Sequence, residues 1–394
     1  MFKVVLWDYT GESESWTKKF LKDGVEIIRT LRPDDPDQAE VIMRGDWNFV
    51  LIFENGQREI FNEILKTMRA MNFSTENIVF ANDFNSLLDN PAAVYALIKP
   101  ETCDQLYRYW NFFKGRRWHH YTSASTAEGL HYVGTSADNF VIRSMYVTSE
   151  NHTAHELKLF HALSKKYYRI DDSAGYFLEL GANIGTAGIY FCKKIAPNLK
   201  YIAFEPDAEN FKLLRINTIL NDLNDNSILV NFGLGEVFEE QQMYKNLANP
   251  GGNGMFNKWL PSERNFPTET IKIIPLDAFF AENNLAAENV KYIWIDTEGY
   301  EAQVLLGAKN LLTKNPVPIF MEFNPMAWNK TGRFERFVDL LKMVGYTHFI
   351  WIPETFQHKE EIIYPIDKLW DWKNSNNWIG SLGDIFLIRK GAID

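Results

Sequence analysis

The sequence contains few of the residues that build disulfide scaffolds and zinc sites. Its 394 residues include two cysteines and eight histidines. Two thiols cannot supply a disulfide framework, and the scattered histidines lack the spacing of structural zinc ligands. We therefore expect neither a disulfide-stabilised fold nor a zinc domain.

Long apolar runs and an excess of positive charge are also missing. No stretch approaches the roughly 20 consecutive apolar residues of a membrane span. The opening residues, MFKVVLWD, reach an acidic side chain too soon for a signal peptide. The net charge of −10 argues against a nucleic-acid groove. We predict a cytoplasmic protein without a membrane span or a nucleic-acid partner.

The composition is that of a large α/β protein. Hydrophobic residues make up 46% of the chain and charged residues 23%, and this length is enough for about two or three domains. The pattern along the chain predicts three regions: an N-terminal α/β domain at 1–100, a connecting or cap region at 101–165 and a main domain at 166–394.

The N-terminal region resembles a degenerate Rossmann-like module. Predicted strands alternate with predicted helices, at 15–22 and 57–71, which indicates a parallel sheet. The turn after the first strand contains Glu12 and Glu14, where a pyrophosphate would need bare N–H groups, so we do not expect dinucleotide binding there. The module either docks, forms a homo-oligomer or positions an acceptor, or it only packs.

The most informative pattern is the run YFLELGANIG at 176–185, an apolar strand that ends in a glycine turn before a helix. Gly181 and Gly185 let the backbone approach a ligand, and the helix supplies free N–H groups. The acidic Glu179 inside the strand and the early glycine after Asn183 distinguish this turn from the dinucleotide fingerprint. The run predicts a nucleotide-type ligand at the carboxyl end of a parallel strand.

A second predicted strand ends in a carboxylate. The segment YIAF is followed by Glu205 and Pro206. In a doubly wound sheet, an acid at this place accepts hydrogen bonds from the two ribose hydroxyls of an adenosine. An NAD-binding enzyme would show the same acid, so this strand end alone does not separate the two ligands.

Two later strands end in polar side chains. One is followed by Asp296 and Glu298, and the other ends in Glu322 and reaches Asn324. Parallel strands bring their carboxyl ends to one edge of the sheet, so we expect these side chains near the glycine turn. An NAD enzyme would not obviously contain the first of these ends.

The segments between these strands complete the expected pocket. A third predicted strand, at 227–233, ends at Gly233. Asn217 and Asn221, on the helix before it, are predicted to hold the turn that leads into this strand. A glycine-rich insertion at 249–254 is placed to cover the pocket, although an ordinary connecting loop would have the same composition.

Taken together, these strand ends resemble the FkbM family of S-adenosylmethionine-dependent methyltransferases. The matching segments are ELGANIG, FEP, IDTEGYE followed by LLGA, and EFN, within a region from about residue 139 to the end. The resemblance implies a class I methyltransferase fold, an α/β doubly wound sheet of seven strands whose last strand is antiparallel. It also implies S-adenosyl-L-methionine as cofactor, bound by Glu179, Gly181, Asn183, Gly185, Glu205, Pro206 and Gly233.

The catalytic residues are expected at the end of the fourth strand. Removing the proton of an alcohol acceptor requires a base, and Asp296 is the first candidate, with Glu298 second. Asp296 could instead only orient the substrate or cap a helix. Asp296, Glu322 and Asn324 are an alternative set of oxygen ligands for Mg²⁺, but we favour a site without metal because the family motif does not require one.

The predicted activity is O-methylation of a glycan or a sugar-bearing small molecule. N- or C-methylation and a peptide acceptor stay open. Two alternatives from other classes are an NAD-dependent oxidoreductase and a non-catalytic binding subunit. The glycine spacing and the Asp-x-Glu-Gly strand end argue against the first, and no absent motif residue supports the second.

Overall fold

The computed structural model describes residues 2–9, 11, 13–15, 25–44, 49–53, 78–80, 112, 119–138, 140–246, 249–255, 267–353, 361–373 and 383–392. The chain folds as two compact units, Met1–His119 and His120–Asp394. The predicted helix at 57–71 lies outside the described residues, as does nearly all of the one at 15–22. Within the described part of the chain, no helix is long and apolar enough to cross a membrane.

The first unit contains a parallel sheet of four strands. They are β1 (Phe2–Asp8), β2 (Val25–Leu31), β3 (Phe49–Phe53) and β4 (Ile78–Phe80), in the order β2-β1-β3-β4. Helix α1 (Gln38–Arg44) lies between β2 and β3 in the chain. Val5 and Trp7 of β1 form a buried cluster with Val50 and Ile52 of β3 and Ile42 of α1.

The turn after β1 is closed by its own acidic side chain. Asp8 accepts hydrogen bonds from the backbone N–H groups of Gly11 (2.8 Å) and Ser13 (3.0 Å). A pyrophosphate at such a turn would need free backbone N–H groups. The geometry therefore agrees with the sequence argument against a dinucleotide at this turn.

The second unit contains a mixed sheet of eight strands. In spatial order they are β9 (Ser227–Val230), β8 (Leu199–Phe204), β7 (Gly175–Leu180), β13 (Val290–Ile295), β14 (Ile319–Glu322), β17 (Gly383–Arg389), β15 (Tyr346–Pro353) and β16 (Ile363–Pro365). The strands from β9 to β14 are parallel, and β17 is antiparallel to both of its neighbours.

The predicted fold class is confirmed, with one strand more than the seven expected. The additional strand, β16, pairs with the outer edge of β15, and its Tyr364 ring stacks on Phe349 with centroids 5.5 Å apart. An uncovered edge strand exposes unpaired backbone groups. The short eighth strand covers that edge.

Two smaller sheets complete this unit. Strands β5 (Tyr121–Ser125) and β6 (His131–Thr135) form a hairpin, and β10 (Gly233–Leu234), β11 (Glu239–Tyr244) and β12 (Thr268–Ile274) form a sheet in the order β10-β12-β11. The predicted third strand at 227–233 is therefore divided. Its first part pairs in the large sheet as β9, whereas Gly233 pairs with β12.

The helices of the second unit connect and cover these strands. They are α2 (Val141–Thr148), α3 (Ala154–Tyr168), α4 (Thr186–Tyr190), α5 (Ala208–Leu220), α6 (Leu276–Glu282), α7 (Glu301–Leu306), α8 (Lys309–Lys314), α9 (Pro325–Lys330), α10 (Phe334–Met343) and α11 (Lys368–Lys373). A π-helical turn, Phe191–Ile195, directly follows α4.

Aromatic rings fill much of the core beneath α3. Phe160 of α3 lies 5.6 Å, between ring centroids, from both Tyr292 of β13 and Phe320 of β14. Trp294 stacks on Phe320 at 4.6 Å with nearly parallel planes. Rings packed on both strands hold β13 and β14 together behind their carboxyl ends.

The strand order places a crevice at one position of the large sheet. From β7 the chain runs outward through β8 to β9, and it then returns to the other side of β7 as β13. In open α/β sheets, ligands bind at the carboxyl ends of strands where the order reverses in this way. A ligand site is therefore expected in the crevice between the ends of β7 and β13.

Candidate functional site

The turn after β7 is joined to the end of β8 by three hydrogen bonds. Gly181 and Asn183 adopt left-handed conformations, with φ values of 91° and 49°. The N–H groups of Gly181 and Ala182 donate to the carbonyl oxygen of Phe204 (3.0 and 2.9 Å), and the Asn183 N–H donates to Glu205 Oε2 (2.7 Å). The glycine turn and the predicted ribose carboxylate thus form one structure.

The two glycines of this turn are needed for different reasons. A Cβ on Gly181 would lie 1.8 Å from the carbonyl oxygen of Asp296, so only glycine lets the ends of β7 and β13 approach this closely. A Cβ on Gly185 would lie 2.6 Å from Leu214 Cδ1. Gly185 therefore allows the turn to pack against α5.

Glu205 is a buried carboxylate at the end of β8, with both oxygens oriented by backbone groups. It is 5% exposed, and its Oε1 accepts a hydrogen bond from the Asp207 N–H (2.8 Å) while Oε2 accepts the one from Asn183. Burial raises its pKa to about 8, although the Asp207 N–H acts in the opposite direction. Each carboxylate oxygen has a further lone pair, so ligand hydroxyls can still donate to Glu205.

Glu179 is a second buried carboxylate, and its Oε2 accepts hydrogen bonds from within the protein. It is 2% exposed, and Oε2 accepts hydrogen bonds from the Gly188 N–H (3.0 Å) and from the Tyr201 hydroxyl. Burial raises its pKa to about 8, against the hydrogen bond from Tyr201. Glu179 therefore braces the first turn of α4 against β8.

The chain turns sharply after β13. Asp296 is exposed, and its N–H donates to the carbonyl oxygen of Leu180 (3.0 Å). Glu298 and Gly299 follow with left-handed φ values of 53° and 96°. A left-handed conformation is unfavourable for glutamate, so contacts from neighbouring residues must hold this loop. The loop brings Asp296 and Glu298 beside the glycine turn.

Two cavities meet at these residues. The smaller one, named here the Glu205 cleft, has a volume of about 60 Å³, and its walls include Phe204, Glu205, Pro206, Gly233, Thr297 and Tyr300. The second, named here the large cavity, has a volume of about 670 Å³, and its walls include Phe140, Glu156, Glu179, Trp294, Glu322 and Asp384. Gly181, Asn183, Asp296 and Glu298 line both spaces.

The segment 249–255, named here the cover, forms part of the wall of the Glu205 cleft. Asn210 of α5 donates from Nδ2 to the Pro250 carbonyl oxygen (3.0 Å), and Asn253 donates from Nδ2 to Asp207 Oδ2 (3.0 Å). The same aspartate caps α5, because its side chain accepts the N–H groups of Glu209 and Asn210. The cover is thus attached to the start of the helix that follows Glu205.

The sequence was compared with family models and with curated protein sequences. Residues 179–347 match the family model described as Methyltransferase FkbM domain. These residues form an FkbM methyltransferase domain. The resemblance inferred from the four strand ends is therefore confirmed for this part of the chain. The comparison with curated proteins gives no match.

Several solved structures are similar to the chain. One is a methyltransferase FkbM from Methylobacillus flagellatus KT, at 12% identity over 98% of this chain and 90% of that chain, with a TM-score of 0.34. Another is an O-methyltransferase from Bacillus cereus in complex with SAH, at 13% identity over 60% and 81%, with a TM-score of 0.33. A third is TYW2 from M. jannaschii in complex with AdoMet, at 10% identity over 69% and 87%, with a TM-score of 0.33. Because these TM-scores are low, the assignment depends on the family match.

Most of the predicted site residues of the FkbM domain come together in one place. The walls of the Glu205 cleft contain Gly181, Asn183, Glu205, Pro206, Gly233, Asp296 and Glu298. Glu179 lines the large cavity instead, and Gly185 lines neither space. The roles assigned to these residues from the sequence stay predictions.

The alternative magnesium site receives no support from the donor atoms present. Across the described residues, no group of three or more His, Cys, Asp or Glu side chains could hold a metal ion. Asn324, one of the alternative ligands, uses its side-chain oxygen to accept the Ala327 N–H (3.3 Å) at the start of α9. We therefore derive no catalytic step through magnesium.

Asn217 and Asn221 of the FkbM domain hold a different element from the one predicted. Asn217 Oδ1 accepts the Val133 N–H (2.7 Å), and its Nδ2 donates to the Val133 carbonyl oxygen (3.1 Å). Asn221 makes the same pair of bonds to His131 (2.9 and 2.6 Å). The two carboxamides bind β6 as a neighbouring strand would, so the prediction that they hold the turn before the third strand is wrong.

Proposed function

We propose that the FkbM domain binds S-adenosylmethionine and transfers its methyl group to a hydroxyl of a glycan or a sugar-bearing metabolite. The observation that carries this proposal is the Glu205 carboxylate, which lies at the end of β8 beside the close backbone approach at Gly181. Its oxygens are oriented by two backbone N–H groups and keep lone pairs for further donors. This is the arrangement that a ribose with two neighbouring hydroxyls requires.

Two buried acceptor atoms support the same ligand at its amino-acid end. Asn183 Oδ1 and Glu156 Oε2 are buried and have no hydrogen-bond partner within the described part of the chain, and both residues line the large cavity. Burial raises the pKa of Glu156. Buried acceptors without donors are costly, and an ammonium group supplies donors and a positive charge. The residues present therefore fit a ligand that extends from the Glu205 cleft into the large cavity.

The cover over the Glu205 cleft has to move when such a ligand enters. The volume of about 60 Å³ is well below the roughly 300–1,000 Å³ of ordinary ligand pockets. The segment 249–255 is attached to α5 by side-chain hydrogen bonds from Asn210 and Asn253. The segment is also joined to β11 by a backbone bridge between Gly254 and Tyr244, and opening the cleft would break these bonds without breaking a ladder of the large sheet.

The chemistry assigned to the chain is positioning and proton removal. When bound, S-adenosylmethionine supplies a methyl group on a positively charged sulfur, which a nucleophile can attack in line. The large cavity then holds the acceptor hydroxyl beside Asp296 and Glu298 and limits the access of water. The carboxylate of Asp296 or Glu298 would take the proton of the acceptor hydroxyl as that oxygen is methylated.

The walls of the large cavity support a hydroxylated acceptor. Phe140 is 52% exposed there, which is unusual for a phenylalanine and leaves its ring free to stack on an apolar face of a sugar. Carboxylates and amides around it, including Glu322 and Asn249, are acceptors for sugar hydroxyls. A cavity of about 670 Å³ has room for a sugar unit next to the methyl donor.

A binding experiment followed by a transfer experiment tests the proposal. In native mass spectrometry, the full chain should retain S-adenosylmethionine and S-adenosylhomocysteine but not NAD. Retention of NAD alone would replace the proposal with the oxidoreductase. With methyl-labelled S-adenosylmethionine, a panel of methyl glycosides and amino-acid acceptors should yield label on sugar oxygen, and label on peptide or amine nitrogen would correct the acceptor class.

A further inference from the structure

Glu301, the first residue of α7, is a buried carboxylate that accepts an unusual number of hydrogen bonds. It is 0% exposed. Its Oε1 accepts the N–H of Thr297 (3.0 Å), the hydroxyl of Thr297 (3.1 Å) and the N–H of Gly299 (2.9 Å), while Oε2 accepts Nε1–H of Trp328 (3.0 Å). Burying a carboxylate is unfavourable unless such donors compensate it. Here the donors come from the loop that contains Thr297 and Gly299 and from the indole of Trp328.

The loop that Glu301 holds carries both candidate catalytic residues. It runs from Asp296 to Gly299, with left-handed backbone at Glu298 and Gly299. Asp296, Thr297 and Glu298 line the Glu205 cleft. A loop with a left-handed glutamate does not keep this conformation by local preference. The hydrogen bonds from Thr297 and Gly299 to Glu301 supply the missing restraint.

The other oxygen of Glu301 connects the loop to the neighbouring strand. Trp328 is fully buried and lies in α9, which begins directly after the end of β14. One carboxylate therefore links the loop after β13 to the helix after β14. Asp296 after β13 and Glu322 at the end of β14 both line the large cavity.

We propose that Glu301 is a positioning residue, which holds the 296–299 loop so that Asp296 and Glu298 stay in the walls of the Glu205 cleft and the large cavity. Glutamine cannot replace it, because its amide has one acceptor oxygen and one donor nitrogen. If the oxygen serves the loop, the NH₂ group meets the Trp328 N–H, donor against donor. If the amide is reversed, Thr297 and Gly299 lose their acceptor.

A pair of variants tests this role through two measurements that require no acceptor. Amide hydrogen exchange reports the hydrogen bonds of Thr297 and Gly299, and calorimetry reports the affinity for S-adenosylhomocysteine. In Glu301→Gln, both amides should exchange faster and the affinity should fall about tenfold, the scale of one lost hydrogen bond to a charged group. Glu288→Gln, on an exposed turn, is the matched control and should change neither.

The double variant Glu301→Gln/Trp328→Phe separates positioning from general stability. Removing the indole N–H removes the donor conflict, so the glutamine oxygen can serve the loop again, and most of the lost affinity should return even if the melting temperature stays low. An affinity of Glu301→Gln within about twofold of wild type, or a double variant without recovery, would overturn the inference.

The design also distinguishes this inference from the proposed function on which it rests. If the wild-type chain binds no S-adenosylhomocysteine, the proposed function fails, and the exchange of Thr297 and Gly299 then decides the positioning role alone. If Glu301→Gln does not fold, Trp328→Phe takes its place. It should leave both loop amides protected, because Oε1 still accepts them, and loss of that protection would contradict the proposal.

Discussion

The carboxylates at the ends of β7 and β8 differ from those after β13 in how the protein surrounds them. Glu179 and Glu205 are 2% and 5% exposed and accept backbone N–H groups. Asp296 is exposed on a loop with left-handed backbone, and Glu301 holds that loop from behind. A binding surface profits from rigid, pre-oriented acceptors, whereas a base must reach the proton that it removes. The proposed function assigns both tasks to the same edge of one sheet.

The largest expected effect is on stability, at Gly181, where the end of β7 lies against the end of β13. In Gly181→Ala, the Cβ would meet the Asp296 carbonyl oxygen at 1.8 Å, at a φ of 91°. We expect a loss of about 3 kcal/mol or more in the free energy of unfolding, measured with urea. Gly129→Ala is the control, because its φ of 78° is similar but nothing lies within 4 Å. Equal losses in the two variants would mean that the two strand ends are not in contact.

Replacing the exposed Asp296 tests whether its carboxylate acts as the base. Asp296→Asn keeps the size of the side chain but removes its charge, so single-turnover methyl transfer should fall roughly 10²-fold or more if Asp296 is the base. Affinity for S-adenosylhomocysteine should change far less. The measurement requires an accepted substrate, with the exposed Asp339→Asn as control. An Asp296→Asn variant with full rate and a slightly lower melting temperature would leave Asp296 with a structural role only.

Replacing the buried Glu205 should affect ligand binding rather than the rate of methyl transfer. Glu205→Ala removes the proposed acceptor of both ribose hydroxyls, and calorimetry should show a loss of about 1 to 3 kcal/mol in binding free energy for S-adenosylhomocysteine. The turn also loses the bonds to Asn183 and Asp207, so the melting temperature is measured in parallel. Unchanged affinity would show that β8 does not bind the ribose.

The last prediction concerns pH. The pKa of Glu179 and of Glu205 is raised from the ordinary 4.5 to about 8. Between these values the unfolded chain has lost protons that the folded chain keeps, so the free energy of unfolding should fall as pH rises through this window. Glu179→Gln cannot ionise and should show a shallower decline in urea unfolding at pH values of about 5, 6.5 and 8. An identical slope in wild type and variant would show that Glu179 is ionised throughout.

The strand ends could be predicted because their signals are local. An apolar run that stops at a glycine or an acid, as at Gly181 and Glu205, indicates both the strand and the side chain that follows it. The doubly wound sheet with its antiparallel last strand followed from the family resemblance. The parallel neighbours β7 and β13 then brought Asp296 beside the glycine turn.

The contacts that the sequence did not predict join distant residues. Trp328 reaches Glu301 across 27 positions, and Asn217 reaches Val133 across 84. Nothing in the spacing of these residues indicates a partner, because an Asn or a Trp on a helix is usual in many settings. The split of the third strand also depends on tertiary structure, since Gly233 pairs with β12 from a later part of the chain.

The binding of β6 by Asn217 and Asn221 affects the order in which the protein is completed during synthesis. The β5–β6 hairpin leaves the ribosome early, but the outer edge of β6 finds its partners only on α5, 84 to 90 residues later. The backbone groups of His131 and Val133 therefore have these hydrogen-bond partners only after β7, β8 and α5 have been synthesised. Phe140, at the wall of the large cavity, follows that hairpin closely in the chain. This wall of the large cavity is thus translated well before the helix that completes the outer edge of β6.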